Sequence, residues 1–379
     1  MRDDWRLFIG PRLSAILAQW RAGDGSRRAP RGEGDPRRAA LAWIGLVILA
    51  LLPSPASAQG GFAGLGQGGE GFALPAPAPT FTFPEDHGAH PDYRIEWWYL
   101  TATLEAADGT PYGIQWTLFR SALTPEGPQV WMGHMGVTTP ETHHSGERLA
   151  RGGIGQAGVE VAPFRAWIDD WVMEGPDLTR MTLTATGPTA GYDLTLSSDG
   201  PLIFQGEGGF SVKSPDGQAS YYYSQPFYEV SGTLVLPEGP VEVTGQGWLD
   251  REWSSEPLEG DQEGWDWFAL HIADGHKLMA FQLRGGSPYT YAAWIAPDGT
   301  MTPYQNRGLT LTPLDTARVA DRDVPVRWRI ELPAEDLDLT VEAVNPESWQ
   351  PTLFPYWEGP VTASGSHAAR GYLEMTGYE

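Results

Sequence analysis

Residues 97–120 read WWYLTATLEAADGTPYGIQWTLFR. An aromatic-led, alternating run climbs to Asp108-Gly109, and a second run of the same texture descends from Tyr112 to Arg120. Asp-Gly between two alternating runs is a strong hairpin signal, because both residues tolerate the positive φ that a tight turn demands. Residues 266–284, DWFALHIADGHKLMAFQLR, repeat the pattern: an aromatic-led run, a turn at Asp274-Gly275, and a second run ending in Arg284. Two weakly similar hairpins so far apart predict two similar β units.

The chain between and beyond them has the same grain. From Phe81 onward short alternating runs are broken by Gly, Pro, Asp and Asn, and residues 181–186, 192–196, 228–236, 241–247, 267–272, 278–283, 291–295, 326–332, 337–344 and 371–375 read as strands. Amphipathic helices of useful length are scarce. The expected fold is all-β, with two antiparallel units over residues 81–246 and 247–379 packed together as barrels or sandwiches. Residues 241–247 read as the passage between them.

The N-terminal stretch has a different character. Residues 39–52 (AALAWIGLVILALL) form an apolar run of 14 after Arg37 and Arg38 and lead to Ala56-Ser57-Ala58. This is the pattern of a secretory signal over residues 1–58, cleaved after Ala58, and it predicts an exported protein, periplasmic or extracellular. The run is short for a membrane span, so no stable span is expected after cleavage, although an uncleaved leader would act as an anchor. Residues 59–80, rich in Gly, Ala and Pro, read as a flexible tether. The G-x-G-x-x-G at Gly64, Gly66 and Gly69 has no strand before it and no helix after it, so it is not a dinucleotide site.

Charge and composition narrow the partners. The full chain carries a formal charge of −23; removing residues 1–58 takes away 9 arginines and 5 acids and leaves 16 basic against 43 acidic residues, about −27. Such a balance disfavours nucleic acid and anionic lipid surfaces. The absence of cysteine excludes a disulfide framework, a thiol nucleophile and a cysteine-based zinc site. No G-x-S-x-G elbow supports serine chemistry. The sequence does not speak to oligomeric state.

Chemistry concentrates in residues 247–272, GWLDREWSSEPLEGDQEGWDWFALHI, where acids are interleaved with tryptophans. Acids normally remain in water and tryptophans normally leave it, so the mixture suits the wall of a semi-apolar cavity in which a carboxyl is desolvated. An acidic loop between two core strands is the plainer reading. Asp266 and Glu96 occupy matching places in the two repeats, each beside tryptophan; each is either an acid of the site or the partner of Arg284 or Arg120. His87 and His90 form H-x-x-H, which with Asp92 and His134 has the donor types of a metal site, but on a loop and without a clear third ligand. They read instead as polar lining or gate residues, and no metal is expected. His143 and His144 read as solvated. Tyr222 points opposite to Tyr221 and Tyr223 on an alternating strand, where it either lines a cavity or packs a barrel.

Several blocks resemble a known family: DHGAHPDYRIEWWYLT (86–101), YYYSQPFYEVSGTL (221–234), GWLDREWSSEPL (247–258), GWDWFALHI (264–272), YWEGPV (356–361) and GYLEMTGY (371–378). They are similar to the AttH-like, lipocalin-like proteins related to carotenoid 1,2-hydratase, also called hydroxyneurosporene synthase. The resemblance implies two lipocalin-like β-barrel domains with a ligand cavity at or between them. It also implies an isoprenoid or lipid-like small molecule as partner, handled by a hydratase, a cyclisation catalyst, a secreted hydrolase or a simple carrier. Asp250 matches the acid of the corresponding hydratase block; its plainer role is to pair with Arg251, Arg284 or a backbone amide and hold the interdomain turn. Hydration of an unactivated alkene needs a protonated acid, a shelter for the carbocation and one water, and requires no cofactor. The expected catalytic residues are therefore Asp250, Asp266 and Glu96. Trp97, Trp98, His134, Tyr222, Trp248, Trp253 and Trp267 are the expected ligand-binding residues, with Trp248 and Trp253 beside Asp250. Glu358 and Glu374 are weaker candidates for an acid.

Overall fold

The computed structural model describes residues 62–306 and 308–378. The leader expected over 1–58 lies outside the described residues, and so does the start of the tether. Among the described residues no helix is long and apolar enough to cross a membrane. The described residues are nearly all β, with 3% helix, in two antiparallel sheets.

The first sheet holds thirteen strands: β1 (Ile95–Ala106), β2 (Pro111–Ala122), β3 (Gln129–Thr138), β4 (His143–Arg151), β5 (Ala157–Val161), β6 (Phe164–Ile168), β7 (Trp171–Asp177), β8 (Arg180–Thr186), β9 (Gly191–Ser197), β10 (Ile203–Phe204), β11 (Phe210–Val212), β12 (Ala219–Leu236) and β13 (Gly239–Ser254). The second holds β14 (Gln262–Ile272), β15 (Lys277–Gly285), β16 (Tyr289–Ile295), β17 (Met301–Gln305), β18 (Thr310–Val319), β19 (Arg322–Leu332), β20 (Leu337–Ala343), β21 (Trp349–Gln350), β22 (Tyr356–Gly365) and β23 (Ala369–Met375). The first runs β4-β3-β2-β1-β13-β12-β9-β8-β7-β6-β5 and curls until β6 comes back against β3 and β4, a nearly closed barrel. The second runs β17-β16-β15-β14-β23-β22-β20-β19-β18 and closes only halfway. Both repeated hairpins form as read, with Gly109 at φ 87° and Gly275 at φ 98°.

Three apolar clusters result. The first fills the barrel with Trp98, Leu100, Trp116, Leu118, Trp171, Leu194 and Tyr228; the second fills the half-barrel with Phe268, Leu270, Trp328, Leu339 and Trp357. The third lies between the sheets and is richer in aromatic residues: Tyr99, Tyr222, Trp248, Trp267, Phe281 and Tyr291. Aromatic rings with a polar tip suit such a seam, since they bury large area and still carry a hydrogen-bonding group.

Two expectations about the chain path change. Residues 241–247 do not lead out of the first unit; β13 continues unbroken to Ser254, and the crossing lies between Ser254 and Gln262. The boundary at 246/247 thus falls inside a strand that pairs with β1 over residues 243–254. Residues 62–80 do not hang free either. The Gly69 amide donates to Glu256 Oε1 at 3.0 Å, the Ala76 amide to Tyr221 Oη at 2.9 Å, and Leu65 packs on the seam. A Cβ at Gly69 would sit 2.6 Å from Glu256 Cγ, so this glycine serves close packing of the tether on the body.

Candidate functional site

Pleating sends alternate residues of a strand to opposite faces. On β1 it sends Trp98, Leu100 and Leu104 into the barrel and turns Trp97, Tyr99, Thr101 and Thr103 toward the second sheet. Antiparallel register then aligns one residue from each of six strands in a single cross-strand row on that outer face: Ser224, Asp250, Tyr99, Thr117, His134 and Glu147. The neighbouring row toward the rim is Tyr222, Glu252, Trp97, Phe119, Met132 and Leu149. It turns from polar to apolar along its length, and Leu149 is 49% exposed. On the facing sheet Trp267, Glu374 and Glu358 stand opposite one another across β14, β23 and β22.

Three carboxyls therefore meet in an aromatic seam. Asp250, 2% exposed, accepts from Ser224 Oγ (2.5 Å) and Trp248 Nε1 (2.7 Å) on Oδ1 and from Tyr222 Oη (2.7 Å) on Oδ2. Burial pushes this carboxyl up to about 7 in spite of those three hydrogen bonds. Glu374 is likewise raised by burial to about 7, although the Trp265 indole donates to it. Burial and the charge of neighbouring Glu374 hold Glu358 well above the usual carboxylate range. Its Oε1 accepts from Tyr99 Oη, and its Oε2 has no hydrogen-bond partner of normal geometry. Tyr99 lies between the pair and leans edge-on against Trp267, with ring centroids 5.3 Å apart. None of the three carboxyls forms an ion pair among the described residues. Lys213 borders the seam, its Nζ 3.0 Å from Glu252 Oε1 and over the rings of Tyr222 and Phe281 at 4.8 and 4.4 Å.

The sequence profile of the AttH-like proteins matches residues 74–378. The chain belongs to the AttH-like family. An AttH-type protein from Nitrosomonas europaea has a solved structure 34% identical to this chain, with a TM-score of 0.75 over 81% of this chain and 99% of its own. Kievitone hydratase from Nectria haematococca shares the fold at a TM-score of 0.62 and 14% identity, over 81% of this chain and 96% of its own. CghA, crystallised with Sch210972, does so at 0.50 and 14%, over 83% and 98%. At that identity both likenesses concern architecture alone. No curated protein sequence matches the chain.

In this AttH-like chain the other sequence-selected acids belong elsewhere. Glu96 is fully buried at an end of the first barrel, paired with Arg120 and Arg251 and accepting the His90 amide at 2.9 Å. Burial opposes its charge, but Arg251 leads the groups that outweigh it and hold its carboxyl far below the ordinary range. Asp266 occupies the matching place in the half-barrel, 3.0 Å from Arg284 Nε, 2.7 Å from Gln282 Nε2 and 2.9 Å from Tyr378 Oη. Both residues plug a barrel, whereas Tyr99 and Trp267 of the same strands face the seam that holds Asp250, Glu358 and Glu374. The same parity removes Trp98 and Trp253 from the ligand set. Trp253 packs inside the barrel, stacked on His90 with centroids 3.9 Å apart, and Trp98 lies under the Arg251 guanidinium at 3.8 Å. Trp253 is thus not beside Asp250, whereas Trp248, Tyr222 and Trp267 are in the seam with it and Trp97 borders it.

The histidines diverge. His87 Nδ1 meets Tyr223 Oη at 2.7 Å, and His90 meets Glu96 and Asp86. His134, by contrast, is in the site row, with Nδ1 3.0 Å from Tyr356 Oη. His143 is not in a solvated loop; it stands on β4 with Nδ1 2.8 Å from Thr138 Oγ1, and burial lowers it to about 4. Among the described residues no group of three His or acidic side chains is arranged to hold a metal ion.

The sequence reading ranks Glu358 and Glu374 below Asp266 and Glu96 and does not select Tyr99, Tyr356 or Glu147, which the fold brings to the same seam or its row. A usable signal was the aromatic-x-acid triplet on an alternating strand: Trp248-x-Asp250, Tyr356-x-Glu358 and Tyr372-x-Glu374. The filter is weak, because Phe227-x-Glu229 also fits and leaves Glu229 in solvent.

Proposed function

We propose that this AttH-like protein is an exported, cofactor-independent acid catalyst of the hydratase type acting on an apolar, isoprenoid- or lipid-like small molecule. The observation that carries the reading is the trio Asp250, Glu358 and Glu374 among aromatic rings, the first two buried and the third half-buried, with none in an ion pair among the described residues. A carboxyl that titrates near 7 can both give and take back a proton at neutral pH, which Asp250 and Glu374 satisfy. Glu358, whose carboxyl burial and the charge of Glu374 hold well above the usual carboxylate range, supplies a hydrogen-bonding wall.

In the proposed cycle Asp250 transfers its proton to one alkene carbon. The π faces of Trp248, Trp267 and Tyr99 stabilise the resulting carbocation, each by roughly 0.5–2 kcal/mol. A water then adds its oxygen to the cation and returns a proton to the Asp250 carboxylate, so one water is added and the acid is regenerated. Loss of a neighbouring C–H proton, or attack by a second alkene, would give isomerisation or cyclisation from the same cation. The rim row Trp97, Phe119, Met132 and Leu149 supports an apolar substrate.

The test starts with solvent extraction and native mass spectrometry of the protein from its own host. A co-purifying apolar molecule, or a terpenoid from a panel, would be turned over by the wild type, and Asp250→Asn would retain binding while losing about 10²–10⁴-fold in rate. Binding without turnover in the wild type would instead make the protein a carrier.

A further inference from the structure

Asp250 and Glu358 are sealed in the seam with Glu374 half-buried beside them, and a series of side chains leads from Glu358 to solvent. Glu147 on β4 is at the surface, its side chain 28% exposed, with Oε1 fixed by the Leu353 amide at 2.8 Å. His134, 1% exposed, stands opposite it on β3, with Nε2 at 3.3 Å from Glu147 Oε1. On its other side His134 Nδ1 is 3.0 Å from Tyr356 Oη. The Tyr356 hydroxyl lies against the carboxyl of Glu358, two residues along the same face of β22. Tyr99 then joins Glu358 to Glu374.

We propose that Glu147, His134 and Tyr356 form a proton path that couples the buried carboxyls to bulk solvent. An imidazole with a different partner on each nitrogen can accept a proton at one and release another from the second. Inward, a protonated Glu147 gives its proton to Nε2, Nδ1–H passes to the Tyr356 oxygen, and the Tyr356 hydroxyl proton moves to the Glu358 carboxylate. One proton enters and one arrives; His134 changes tautomer, and the reverse sequence carries a proton out. Gln115 Nε2, 3.4 Å from Tyr356 Oη, and the Phe119 ring, 5.3 Å from His134, hold the two relay groups. Burial keeps His134 neutral, and hydrogen bonding from His134 and Leu353 overcomes burial to keep Glu147 ionised between transfers, so neither group traps the proton.

The proposal rests on the reading of the trio as the acid site, but its test needs no substrate. After a rapid pH jump, infrared difference spectroscopy follows the carboxyl C=O band of the buried acids, assigned by its loss in Glu358→Gln. Intact protein should protonate at least tenfold faster than His134→Gln, which preserves a hydrogen-bonding side chain, and faster than Glu147→Gln, which alters only a half-exposed group; the equilibrium midpoint should move little. Equal rates in all three would overturn the path. A band absent from intact protein would overturn the acid-site reading instead, and inactivity toward apolar substrates with normal relay kinetics would separate that failure from this one.

Discussion

At the residue scale, the difference between a structural and a chemical carboxylate here is its partner. Glu96 and Asp266 face arginines, whereas Asp250 faces hydroxyls and an indole. This has a signed consequence for stability. Asp250 has a folded pKa near 7 against an ordinary value of 3.8, so between those values the folded state binds more protons than the unfolded state and stability falls as pH rises. Buried neutral His87, His143 and His271, lowered to about 4, 4 and 3, act in the opposite sense below their ordinary value of 6.5. The carboxyl contribution is therefore read as a difference. Relative to wild type, Asp250→Asn should gain stability progressively from about pH 4 to about pH 7 and then level off, by at most about 4 kcal/mol at 1.36 kcal/mol per pKa unit. Denaturant melts of the two proteins across that range check it; a constant difference would show an ordinary, ionised Asp250. None of this was legible from residue type. Asp250, Asp266 and Glu96 all stand close to tryptophan in sequence, and only the face each occupies distinguishes them.

At the scale of the element, alternation and turn chemistry made the hairpins readable, and pleat parity decides which half of each strand matters. The parity of β13 was available in the sequence: Trp248 and Asp250 share a face, Arg251 and Trp253 share the other. Which face looks outward was not, because both faces of β13 are buried over residues 247–254 and the hydrophobic pattern loses its contrast. Strands such as β4 (HHSGERLAR) were missed because polar residues on an outer barrel wall hide the period. Arg251 ties β13 to β1 through Glu96 and the Gly88 carbonyl. Arg251→Met should cost about 1–3 kcal/mol, since it leaves the buried Glu96 carboxylate with Arg120 alone and the Gly88 carbonyl without its donor, and Tm should fall accordingly. Glu256→Ala makes the contrasting case: global stability should change by less than about 2 kcal/mol. Amide exchange at Gly69 should nevertheless accelerate as residues 62–80 detach, and unchanged exchange would refute the docking role given to Glu256.

At the scale of the whole molecule, two sheets of unequal closure bring together residues remote in sequence. Tyr99 and Glu358 are 259 positions apart, and His134 and Tyr356 are 222. The family and the two-sheet plan could be read from the sequence, because they rest on local runs and turns. The pairing of outer faces could not, because it depends on how one sheet seats on the other. The seam raises the Asp250 carboxyl to about 7, so that a substantial fraction stays protonated at neutral pH. The most direct measurement is a carboxyl ¹³C NMR titration of protein labelled at aspartate, with Asp250→Asn used for assignment. One aspartate resonance, lost in the variant, should titrate near pH 7; an Asp250 resonance already ionised at pH 5 would contradict the role given to this carboxyl.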